Sequence, residues 1–348
     1  MPYGVQPSLP TELYRPIVEN LEHDTATLLV VLLASKTLQL EIERFIYRRM
    51  VQKNEINQQK FLTSILESPR RALLVEEYSQ EGVSYTAKVR LWSLLCRALN
   101  CMQNLKHFTI RTTLITGLPT EFHGRYTFRL KTLDLRGPCS GDKLIITFLQ
   151  FQTQLDSLSI EWSKTNEQLI LPSTCPQLRF LRGNKGAVET FLPGRSIFSL
   201  VWVPHPADST TCVSHLAFAF NNIRTLSYGG FLGCPDLNLI IRHLRSLEIL
   251  RIVDPTLNEL VSLYQLPNLQ ILILLCQHTR RHYSAPPFAN PLDQVIQDMF
   301  TSCALLQRID ISVKRSDYEQ WTRDQPQVPQ ITSISYQEMH PWWITPGT

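Results

Sequence analysis

The sequence predicts an α/β chain: a short N-terminal helical module, then a repeat solenoid built on a curved parallel sheet. Three observations predict it. The first fifty residues carry apolar positions at helical spacing. The pattern L-x-x-L-x-L then recurs ten times at nearly constant intervals. The composition, 43% hydrophobic and 18% charged with only 13 glycines, is that of a chain that buries a core.

The N-terminal segment reads as three closely spaced helices. Asp24 is suited to cap a second helix bearing Leu28, Leu29, Leu32 and Leu33, and Ser35 can end that helix and cap a third. In the third, Leu38, Ile42, Phe45 and Ile46 fall on one face. Pro16 is expected to open the regular part of the first helix, with residues 10 to 14 as a separate turn. About fifty residues are too few to bury so many apolar groups alone, so a partner or the rest of the chain must cover them.

The motif positions carry a resemblance. Leu9-Pro10, Glu12-Leu13, Ile17 and Leu21, followed by Ser35, Leu38, Tyr47 and Arg48, resemble an F-box of the form common in fungal proteins, over residues 8 to 50. This resemblance implies docking to a Skp-family adaptor and, through it, to a cullin scaffold. The surplus of apolar positions makes Leu9, Pro10, Leu13, Ile17, Leu28 and Leu32 the expected adaptor-binding set, part of it also holding the helices together.

The repeats start at Leu105, Leu130, Leu155, Leu178, Ile197, Ile223, Leu247, Leu269, Leu306 and Ile331. Any three-position apolar template recurs by chance in so apolar a chain; the spacing decides. Eight of the nine intervals lie between 19 and 26 residues, and the other is 37. Each unit reads as a short strand whose alternate residues enter a shared core, followed by a return segment. Helical returns are expected from Gly141, Asp236 and Pro291; a fainter unit starts at Val75, and a helix from Tyr85 caps the array. The arrangement resembles the leucine-rich repeat over residues 105 to about 337. It departs from that family in lacking Asn or Cys at the ninth position and in placing Gly183 at a core position. The expected divisions are 8–50 for the helical module, 51–104 for connecting and capping helices, 105–340 for the solenoid and 341–348 for a tail.

Chemistry is sparsely marked. The sequence has no phosphate loop, dinucleotide fingerprint, HExxH or GxSxG, so no catalytic site or cofactor is expected. His278 and His282 share a spacing but no third metal ligand, and Arg182 to Gly186 reads as a turn. No cysteine pair has CxxC spacing, so buried reduced thiols are expected. A net charge of +4, read as spread along the chain, argues against a nucleic-acid partner. The longest apolar run, Leu28 to Ala34, argues against a membrane span, and with no signal peptide recognised the chain is expected to be cytoplasmic or nuclear.

The expected role is the substrate-recognition subunit of a ubiquitin ligase, the solenoid holding a protein target. The alternative is a non-degradative scaffold that uses the same adaptor. On the inner sheet face the early units place polar residues, among them His107, Thr109, Arg111, Thr132, Asp134 and Arg136. The seventh and eighth units instead place Ile249, Arg251, Val253, Ile271, Ile273 and Leu275 there. This is the candidate substrate anchor unless the insert around Pro286 and Pro287, or the tail with Trp342 and Trp343, covers it.

Overall fold

The computed structural model describes residues 10–21, 24–33, 36–52, 54–83, 89–112, 126–140, 143–163, 170–204, 214–229, 237–275, 291–312 and 317–333. The chain divides into two compact units, residues 1–137 with 143–152, and 138–142 with 153–348.

In the first unit, α1 (Thr11–Glu19), α2 (Thr25–Val31) and α3 (Lys36–Arg48) gather around Val18, Leu28 and Ile42. Leu38, Phe45 and Ile46 of α3 pack on that cluster, as their shared face requires. Pro16 lies inside α1 rather than opening it. It is exposed, so the carbonyl it leaves unbonded one turn back can be hydrated, and the helix survives the break.

The strands begin well before Leu105. Helix α3 runs directly into β1 (Arg49–Gln52), which pairs in parallel with β2 (Glu77–Val83) after α4 (Glu55–Glu67) and α5 (Pro69–Ala72). Helix α6 (Val89–Cys101) leads to β3 (His107–Thr112), and β4 (Thr132–Ser140) follows, each strand parallel to its predecessor. Helix α7 (Lys143–Gln150) also belongs to this unit.

A stack of aromatic rings runs through the unit's core: Tyr47, Phe61, Tyr78 and Phe108, with centroids 5.9, 5.8 and 6.2 Å apart. The guanidinium of Arg71 sits 5.3 Å from the Tyr47 ring, while Arg70 and Arg71 both pair with the buried carboxylate of Glu43. Removing either partner of such a buried pair strands a charge, so the contact ties α3 firmly to α5.

The second unit repeats a simpler plan. Strands β5 (Ser157–Ser163), β6 (Phe180–Gly183), β7 (Ser199–Trp202), β8 (Thr225–Tyr228), β9 (Ile249–Val253), β10 (Ile271–Leu275) and β11 (Arg308–Ser312) pair in parallel in chain order. Short returns include α8 (Lys185–Phe191), α9 (Ala217–Phe220), α10 (Asn238–Ile241), α11 (Leu257–Ser262) and α12 (Pro291–Ser302). Core positions of the L-x-x-L-x-L pattern are buried strand after strand, for example Leu247, Leu250 and Ile252, then Leu269, Leu272 and Leu274. The first of the two intervening residues lies just before each of these strands, and its carbonyl accepts two consecutive amides at the start of the next, as Glu248 O does from Gln270 and Ile271 and Arg224 O from Glu248 and Ile249.

The tenth repeat is not a repeat. β12 (Asp317–Thr322) and β13 (Gln325–Ser333) form an antiparallel hairpin on β11, and Ile331 lies exposed on it. A parallel crossover needs about a dozen residues, and the stretch between Ser312 and Asp317 is far shorter, so the chain can only turn back.

Two departures from the repeat family find their reasons here. A Cβ at Gly183 would lie 2.4 Å from the Ala187 Cβ and 2.5 Å from the Ile160 carbonyl, so α8 can pack this closely only over glycine. In place of a regular asparagine row, single polar side chains bind neighbouring backbone. Asn184 caps α8 and exchanges hydrogen bonds with both the amide and carbonyl of Trp162; Glu259 accepts from the Leu237 amide; Arg195 donates to the carbonyls of Thr174, Phe191 and Leu171.

Candidate functional site

Three surfaces stand out, and the first is on the N-terminal helices. Asp24 starts α2 by accepting from the Thr27 amide at 3.0 Å and the Thr27 hydroxyl at 2.6 Å. These bonds hold its carboxyl below the usual range. Several apolar side chains on these helices are exposed: Leu13 (47% exposed) and Ile17 (44%) stand four residues apart on α1, and Leu29, Val30, Leu33 and Leu40 are exposed on or beside α2 and α3.

The six expected adaptor-binding residues therefore separate. Pro10, Leu13 and Ile17 face solvent, Leu28 is interior, and Leu32 packs against the interior cluster. Leu9 lies outside the described residues, as does Ser35. Leu29, Val30, Leu33 and Leu40 are the residues that sequence reasoning did not select. The unbroken run LLVVLL gave no polar position from which to choose a face.

The second surface is the strand face of β9 to β11. Register places Ile249 beside Ile271, Arg251 beside Ile273, and Val253 beside Leu275. All six expected anchor residues thus share one face, but it is not open. Tyr318 of β12 is buried with Ile273 and Leu275, and Ile249, Val253 and Ile271 are half-buried against that cluster. The residue with this role comes from the hairpin; the segments with Pro286, Pro287, Trp342 and Trp343 lie outside the described residues.

Polar groups border the cluster. Arg251 donates to the Ser227 hydroxyl at 2.9 Å. Asp310, fully buried beside Ile273, accepts from the Gln320 side chain at 3.2 Å and is paired with Arg308 at 3.0 Å. Burial dominates and pushes its carboxyl above the usual range, with Arg308 and the Gln320 hydrogen bond pulling against it.

The third surface is the strand face of β1 to β4, and its outward positions in the paired register, from Arg49 to Arg136, are polar except Val51. Across the register Arg49 pairs with Glu77 at 2.8 Å, and His107 Nδ1 lies 2.8 Å from the Thr132 hydroxyl. Asp134 accepts from Arg136 at 3.1 Å and lies 3.8 Å from Arg111. The His107 imidazole is held below its usual pKa, first by burial and then by Lys131, Lys106 and Arg49, with Glu77 opposing.

Among the described residues no group of three or more His, Cys, Asp and Glu could hold a metal ion. No described helix is long and apolar enough to cross a membrane. His278 and His282 lie outside the described residues. Within Arg182 to Gly186, Asn184 is used as a helix cap and Lys185 pairs with Glu189 at 3.8 Å. Cys96, Cys175 and Cys303 are buried thiols, and burial pushes Cys175 up to about 12.

No family model matches the chain, and no curated protein does. Among solved structures it is similar to internalin C2 from Listeria monocytogenes str. 4b F2365. The identity is 15%, over 73% of this chain and 92% of that one, with a TM-score of 0.30. The likeness to a leucine-rich-repeat array therefore rests on the parallel register, the buried repeat positions and the return segments within each unit.

Proposed function

We propose that the chain is a protein-interaction subunit that recognises substrates for a Skp-cullin-F-box-type ubiquitin ligase. The N-terminal helices dock a Skp-family adaptor, and the repeat strands hold a protein target. One observation carries the reading: six exposed apolar side chains, Leu13, Ile17, Leu29, Val30, Leu33 and Leu40, stand on or beside three short helices whose own core is already filled by Val18, Leu28 and Ile42. Folding does not require those six to be apolar, and an exposed cluster of this kind marks an interaction site. The F-box-like order of the same segment makes the adaptor the occupant.

The test is co-purification of the full chain with the adaptor, comparing Leu13→Asp/Ile17→Asp with the parent. Both side chains are exposed, so the variant keeps its melting temperature, and loss of adaptor capture is expected. Capture that survives the double change would sink the adaptor reading. The target site includes Arg251 with the accessible parts of Ile249, Val253 and Ile271, while Ile273 and Leu275 support them from beneath Tyr318.

A further inference from the structure

One tetrapeptide of the first unit lies outside the three surfaces. Ser68-Pro69-Arg70-Arg71 joins α4 to α5, a serine followed by proline with a basic residue in third place. The chain's other Ser-Pro or Thr-Pro pair, Thr345-Pro346, has Thr348 in that place. Pro69 bars Ser68 from helical backbone, and the residue is extended at φ −135° and ψ 96°. Ser68 is half-buried. Among the described residues its hydroxyl accepts only from the Arg71 amide, at 3.5 Å, the limit of a hydrogen bond. The two arginines are engaged from the other side. Both hold the carboxylate of Glu43, which is 2% exposed, while their own side chains are 49% and 31% exposed. Arg71 approaches it through Nε at 3.2 Å and Nη2 at 2.9 Å.

We infer that Ser68 is the acceptor of a proline-directed protein kinase, and that a phosphate there draws Arg70 and Arg71 away from Glu43. In the transfer the Ser68 oxygen bonds to the γ-phosphorus of ATP while the bond from that phosphorus to the bridging oxygen breaks. ADP leaves, and the hydroxyl proton passes to the kinase's base. Such a kinase takes proline after the acceptor because that residue brings no N–H to be satisfied, and a guanidinium in third place pairs with its anionic groups. Helix α5 is one turn of four residues, too short to persist alone, so the segment can be drawn out to the extended form a kinase groove holds. The phosphate adds roughly 1.5 to 2 negative charges and three strong acceptor oxygens. The exposed Glu67 beside it repels those charges, which leaves the arginine side as the favourable one. Glu43 then stands interior without its partners, a costly state for a carboxylate. Ile42, the residue before it, belongs to the core of α1 to α3, so the cost is felt in the helical module. The inference does not depend on the adaptor reading, since phosphorylation and melting are read without the adaptor.

The experiment incubates the full chain with a cyclin-dependent-type kinase and ATP, maps the phosphate by mass spectrometry and follows thermal melting. Ser68 is expected to be modified in preference to Thr345, and Pro69→Ala to lose most of the incorporation. The phosphorylated chain is expected to melt about 3 °C below the unmodified one. In Glu43→Gln no carboxylate competes for the arginines, so phosphorylation is expected to leave the melting temperature unchanged or to raise it. A mere disturbance at Ser68 would lower both proteins alike. Arg70→Gln, at an exposed position, makes the comparison a second way: one guanidinium is left to share, and the fall is expected to grow. The inference is overturned if Ser68 stays unmodified, if Thr345 is modified as readily, or if Pro69→Ala incorporates phosphate as the parent does. It is equally overturned if phosphorylation leaves the parent's melting unchanged, or lowers it by the same amount in the parent, Glu43→Gln and Arg70→Gln.

Discussion

The two strand faces are built on one register and solved in opposite ways. On β3 and β4 the side chains away from the core are His107, Thr109, Arg111, Thr132, Asp134 and Arg136, all partly open and partly satisfied by each other. On β9 and β10 the same positions hold Ile249, Arg251, Val253, Ile271, Ile273 and Leu275, and Tyr318 closes over the last two. A parallel sheet is ordinarily covered on both faces. The second unit supplies a cover from its own hairpin, while the first leaves a hydrated surface. The difference teaches that an identical backbone repeat can serve as core or as interface, according to which alternate residues it carries.

The largest effect should come from placing a charge where the face is closed. Ile273→Asp buries a carboxylate without a partner and is expected to cost about 4 kcal/mol, seen in urea unfolding. Thr132→Asp, at an outward position on β4, should leave the unfolding midpoint nearly unchanged. Equal losses from the two would erase the distinction between the faces. Next in size, Tyr318→Ala removes the cover and should cost about 3 kcal/mol while raising binding of a hydrophobic dye, because Ile273 and Leu275 become accessible. An intact midpoint without dye binding would show that Tyr318 is not what closes the patch.

A smaller effect with a definite pH signature attaches to Asp310. Its folded pKa is raised, so the folded state holds the proton more tightly. The stabilisation is full below the unfolded carboxyl value, near 3.9, and is lost as pH rises through the folded pKa. Asp310→Asn keeps the shape and can still accept from Gln320, so it should stabilise by about 1 kcal/mol at neutral pH, the gap closing in acid. A variant less stable than the parent at neutral pH would mean that the Arg308 pair outweighs the burial cost. The smallest change is expected from Arg111→Gln, under about 0.5 kcal/mol and weaker still in high salt, as for exposed ion pairs.

Much of this was legible in the chain. Leu130, Leu133 and Leu135, or Leu155, Leu158 and Ile160, are buried as their alternation requires, because a strand with one face in a core must repeat every second residue. The cap at Asp24 and the face of α3 were equally readable. Less so was β2, because the unit from Val75 carries the buried polar Gln80 at its sixth position, and β1, which is hidden behind the helical period of α3. The unit at Ile331 was misread because alternation marks a strand without telling its direction. The open half of the adaptor set was underestimated for a similar reason: in a helix apolar on several sides, period alone cannot say which side meets the core.

By itself, then, the sequence determined which residues alternate into a core, where helices are capped and how often the strand returns, since these depend on neighbours a few positions apart. Only the tertiary structure decided that Tyr318 covers Ile273, that Gly183 admits α8, that Arg111 meets Arg136, and that Leu13 stays exposed while Leu28 does not. Those outcomes depend on which distant segments arrive at the same place, and the spacing of residues along a chain carries no term for that.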